Sequence, residues 1–178
     1  KYSEILKRNN DLTASLPERT YNIKVLSNII TSQLNEILEY SLRTDGIPAI
    51  VKSGDYGNIV QNSFNQQDSD VVIIFWELSN IVDGLEYKIE LLNDDQLNEI
   101  IDKVKSEIIL TLKNLQKTSL VLINKFTSLH FFYKNIKRTQ LEIMADQLTM
   151  FLEKRETLNV KLIDVTKIIA NVGVTQSI

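Results

Sequence analysis

Apolar positions along the chain fall into two alternating patterns. Short, nearly unbroken apolar runs read as strands: residues 22–26 (NIKVL), 47–53 (IPAIVKS), 71–76 (VVIIFW), 119–124 (SLVLIN) and 159–164 (NVKLID). Between them, apolar residues recur at helical spacing. Leu34, Ile37, Leu38 and Leu42 mark a helix over 31–43. Leu97, Ile101, Val104, Ile108, Leu112 and Leu115 mark a long one, and Leu141, Met144, Leu148, Phe151 and Leu152 another. Residues 2–14 and 56–64 read as shorter helices, and a final helix follows the fifth strand. Asn93 or Asp94 caps the long helix. Gly46 stops the helix before it, because glycine enters the left-handed conformation at little cost.

Strands alternating with helices predict an α/β fold, a three-layer sandwich around a mainly parallel five-stranded sheet. The run VVIIFW is apolar throughout, as a strand covered on both faces should be. Pro48 near the start of the second strand places that strand at an edge, since proline cannot donate to a ladder. Right-handed crossovers make the doubly wound, flavodoxin-like order 2-1-3-4-5 the natural one. Residues 1–20 read as a leading helix and linker, and 21–178 as one α/β domain.

Composition narrows the function classes. With 20 basic and 23 acidic residues well mixed along 178 positions, the chain has no basic face for nucleic acid or an anionic membrane. It has no cysteine, which removes disulfides and thiolate chemistry, and this is compatible with a reducing cytoplasm. No run approaches the roughly 18 apolar residues of a membrane span. The chain opens at Lys1 and reads as a piece of something longer.

In a sheet of this order, ligands bind beyond the carboxyl ends of the strands. Those ends carry Ser27 and Asn28, then Lys52, Ser53, Gly54 and Asp55, then Trp76, Glu77 and Asn80, then Asn124 and Lys125, and finally Asp164. Capping residues occupy the same positions in any α/β domain, so the set is a list of cleft-lining candidates. A phosphate cradle needs glycines in the first strand-to-helix turn, and SNIITSQ has none. A phosphoacceptor site needs carboxylates after strands one and three, and only Glu77 is available. One histidine without cysteine argues against zinc. Glu86 with Glu90, and Asp94 with Asp95, read as solvated charges and a helix cap. His130 lies in the aromatic run LHFFYK, read as packing beneath the loop after the fourth strand, with a docking surface as the sharper alternative.

Taken together, IKVLSNIITSQLNEILEYSLRTDGIPAIVKSGDYGNIVQNSFN, SDVVIIFWELSNIVDG, SLVLINKF and VKLIDVTKIIANVGV resemble the N-terminal domain of FkbH-like proteins of the HAD superfamily. The resemblance spans most of residues 20–174 and rests on the order and spacing of these segments. It implies an SGNH-hydrolase-like fold, which agrees with the α/β reading above. It also implies a downstream HAD domain with magnesium, glyceryl loading onto an acyl carrier protein, and a role in polyketide-type biosynthesis. The Asp-x-Asp-x-Thr loop of HAD chemistry is absent from these residues, so neither that chemistry nor its magnesium is expected of this chain.

Ser27 stands where an SGNH nucleophile would stand, yet its equipment is missing. SGNH hydrolases draw their base from an Asp-x-x-His pattern after the last strand, and here Asp164 is followed by Lys167. A protonated ammonium accepts no proton. Val25 and Leu26 replace the glycine-aspartate pair before the nucleophile. The expected function is therefore a non-catalytic accessory or recognition domain that meets a carrier protein, a substrate or the HAD module. The alternatives are a serine ester hydrolase using Ser27 and a small-ligand-binding module.

Overall fold

The computed structural model describes residues 1–66, 68–128 and 138–173. His130 and the run 129–134 lie outside the described residues. In chain order the elements are α1 (Tyr2–Thr13), β1 (Tyr21–Ser27), α2 (Ser32–Thr44), β2 (Ala49–Ser53), α3 (Ile59–Ser63) and β3 (Val71–Phe75). There follow α4 (Leu85–Lys88), α5 (Asp94–Asn114), β4 (Leu120–Asn124), α6 (Gln140–Glu153), β5 (Val160–Ile163) and α7 (Val165–Val172). Every strand pair is parallel and the order is β2-β1-β3-β4-β5, with β2 at an edge as Pro48 foretold.

The termini of the helices follow the predicted chemistry. Asn93 caps α5, accepting from the Gln96 N–H at 2.9 Å, while the Gln96 side chain accepts from the Asn93 N–H at 3.1 Å. Gly46 takes φ +78° just beyond α2, and the Ile47 N–H reaches back to the Leu42 carbonyl at 2.9 Å. The short α4 and its flanking single-turn helices, Leu78–Asn80 and Ile89–Leu91, carry too few turns to show a period and were not foreseen.

Side chains alternate across the sheet. Leu26, Val72, Ile74, Val121, Ile123 and Val160 point to one face, where α3, α5 and α6 cover them. Among the described residues, 22 buried side chains belong to that core. Ile23, Val25, Ala49 and Ile73 point to the opposite face, beneath Leu38 and Leu42 of α2. The predicted stripe of α2 needs correction: Leu34 and Ile37 are about two-fifths exposed, whereas Asn35 and Arg43 are buried.

The reason lies at the sheet edge. Glu39 and Arg43 form an ion pair at 3.0 Å, one helical turn apart. Arg43 Nε donates to the Ala49 carbonyl at 2.9 Å, and the Val51 N–H donates to Glu39 at 2.8 Å. Both backbone groups face away from β1, so the pair caps the open edge of β2. Arg43 also donates to Asn9 and Thr13, and Asn9 donates to Glu39, which fastens α1 to α2.

Candidate functional site

Pairing between β1 and β3 ends at Ser27 opposite Phe75, and pairing between β3 and β4 ends at Ile74 opposite Ile123. The chain leaving β3 is nevertheless held on both sides. Asn28 Oδ1 accepts from the Glu77 N–H at 2.7 Å and its Nδ2 donates to the Glu77 carbonyl at 2.8 Å. Asn124 does the same for the previous residue. Its Oδ1 accepts from the Trp76 N–H at 2.6 Å and its Nδ2 donates to the Trp76 carbonyl at 3.1 Å. A carboxamide has the donor-acceptor geometry of a peptide group, so these two asparagines extend the ladder past the last strand pairs. Both are buried.

The other candidates join this mesh or stand apart from it. Asn80, exposed, donates to the Asn28 carbonyl at 3.1 Å. Glu77 turns its carboxylate back onto Ser79, whose hydroxyl donates at 3.1 Å. Trp76 is 4% exposed, with its ring 6.3 Å from that of Phe126, so its ring supplies core area. The Gly54 N–H donates to the Val25 carbonyl at 2.8 Å, and a Cβ there would stand 2.8 Å from Leu26 Cδ2. Gly54 is therefore a packing glycine. Lys52, Ser53 and Asp55 are exposed at the end of β2 and on the loop after it.

Ser27 is buried, and its hydroxyl donates to the Ile29 carbonyl at 2.7 Å. The proton a base would remove is committed to the main chain. Asp164 caps α7, accepting from the Lys167 N–H at 3.0 Å, and the Lys167 ammonium lies 3.9 Å from its carboxylate with its side chain 81% exposed. β1 and β5 are three strand spacings apart, about 14 Å. Lys125, beside Asn124, is bonded to Glu153 at 2.7 Å, and that hydrogen bond holds its ammonium above the ordinary lysine range.

Among the described residues, no three His, Asp or Glu side chains converge to hold a cation. The strand ends thus offer, among the described residues, no carboxylate cluster of the kind that would hold magnesium. Two cavities lined by described residues lie at the opposite end of the sheet. One of about 510 Å³ sits between Tyr21, Pro48 and Asp70, and one of about 410 Å³ between Phe64, Asn114 and Thr118. Among the described residues, no helix is long and apolar enough to cross a membrane.

Two residues outside the predicted set emerge as organisers, Glu39 and Arg43. Their spacing of four was legible, but it reads as a solvated pair on a helix surface. Only the position of β2 makes it a buried edge cap.

No protein-family model matches the sequence, and no curated protein matches it. A solved structure does resemble it: the N-terminal part of the protein BF1531 from Bacteroides fragilis, containing a phosphatase domain and complexed with Mg. The TM-score is 0.73 at 16% identity, over 97% of this chain and 47% of that one. At that identity the likeness establishes a shared fold. The chain described here spans about half the length of that relative.

Proposed function

We propose that this chain is a non-catalytic accessory domain, the N-terminal, SGNH-like portion of an FkbH-like HAD-family protein. Magnesium and phosphoryl or glyceryl transfer reside in a further domain in cis, and an acyl carrier protein is the external partner. One observation carries the reading. Three polar groups at the ends of β1 and β4, Ser27, Asn28 and Asn124, are buried and bonded to main-chain partners rather than offered to a substrate. The fold shared with the N-terminal part of a phosphatase-containing protein supports the placement.

The test is turnover of an activated short-chain ester and of an aryl phosphate by the purified chain and by Ser27→Ala. The expected result is background turnover for both proteins on both substrates. Ester turnover well above background that vanishes in Ser27→Ala would instead establish a serine hydrolase.

A further inference from the structure

The two faces of the sheet are unequally covered. Five strands span about 24 Å and a helix about 10–12 Å, so each face takes roughly two helices side by side. The well-filled face has them. On the other, α2 sits over β2, β1 and part of β3 through Leu38 and Leu42. Farther along the same face, Phe75, Leu122 and Ile163 are only half-buried, although strands of a parallel sheet are normally covered on both sides. The chain then enters α7, whose Val165, Ile168, Ile169 and Val172 recur at helical spacing as one apolar stripe. No residue of α7 is buried, and Ile168 and Val172 are 52% and 54% exposed.

We propose that the α7 stripe, with the half-covered face over Phe75, Leu122 and Ile163, is the docking surface for the accompanying domain of the same polypeptide. This rests on the accessory-domain reading above. Three observations choose that occupant. The N-terminal flank is already closed by α1 and the Arg43 network, so the open surface lies where the last described helix leaves the domain. Docking there is intramolecular, with an effective concentration on the order of millimolar. The similar solved structure carries more chain outside the shared region than within it, 47% being matched. The patch itself, seven side chains and on the order of a few hundred Å², falls short of the roughly 800 Å² per partner that a stable complex of free molecules needs.

Hydrogen exchange on the protein from its complete reading frame tests this, comparing wild type with Ile168→Asp/Val172→Asp. The expected result is at least tenfold faster exchange of α7 amides in the variant, with α5 and α6 unchanged. Should α5 also lose protection, Ile168→Ser removes the contact without adding charge and is read the same way. Equal α7 exchange in wild type and variant, with a second domain present, overturns the docking surface and leaves the accessory reading standing. Concentration-dependent α7 protection assigns the face to a second copy and overturns the proposal. A reading frame without a further domain defeats the accessory reading itself.

Discussion

The β2 flank and the β5 flank end the same sheet in different ways. At β2, the outward carbonyl of Ala49 and the N–H of Val51 meet Arg43 and Glu39, and α1 closes over that pair through Asn9 and Thr13. At β5, Val160 finds Thr157 in the preceding turn, but among the described residues nothing comparable caps the outward N–H and C=O of Leu162. An open edge invites pairing with another chain, and proteins blunt it with charge or cover. Here one edge is closed from within by an ion pair, Arg43 buried and Glu39 half-buried, that bonds the outward backbone groups of β2. The other is short and borders a helix with no buried side chain. The difference separates a flank closed from within from one whose outward groups meet no comparable cap among the described residues.

Substitutions break or sharpen that contrast. Arg43→Ala should have the largest effect, about 3–5 kcal/mol, because it leaves the Glu39 carboxylate without its cation and uncaps the Ala49 carbonyl. Urea unfolding measures it, and a loss below about 1 kcal/mol would mean the network does not tie α1 and β2 to the fold. In the centre of the sheet, Asn124→Ala leaves the buried Trp76 N–H and carbonyl unpaired, and about 2–3 kcal/mol should be lost by the same measurement. An unchanged midpoint would show that water substitutes for the carboxamide.

Lys125→Met removes the pair with Glu153 and should cost at most about 1 kcal/mol at neutral pH. Since the folded lysine is raised above 10.5, its contribution is complete below that pH and disappears as pH climbs through the folded value. The stability gap between wild type and Lys125→Met should therefore close in alkali. A gap that widens there would reverse the assignment.

Ile168→Ser on α7 should change the stability of the 178-residue chain least, by less than about 0.5 kcal/mol, since the side chain is already 52% exposed. A cost near that of Asn124→Ala would show that the C-terminal flank is closed after all.

Much of this was legible from local pattern. The parallel order, the edge position of β2, the Asn93 cap and the Gly46 stop each depend on a few neighbouring residues and a general rule. The strand-end residues were legible as positions, yet their roles were not. Asn28 and Asn124 looked like cleft groups because sequence shows a polar side chain at a strand end without showing what it faces. Glu77 and Trp76, 49 and 48 residues away, decide that they are ladder extensions. Trp76 likewise stood among the strand-end candidates, and its packing against Phe126 and the core decides where its ring goes.

The amino-acid sequence by itself determined the period of each element and the parallel doubly wound class. Those follow from side-chain type and short-range spacing, which act within one turn or one strand. Tertiary structure alone decided that Glu39 and Arg43 are a buried edge cap, that the Ser27 hydroxyl is spent on Ile29, and that one face of the sheet is left half-covered beside α7. Those outcomes depend on which surfaces meet. The burial of a charge, the partner of an amide and the cover of a strand are properties of contacts between residues far apart in the chain.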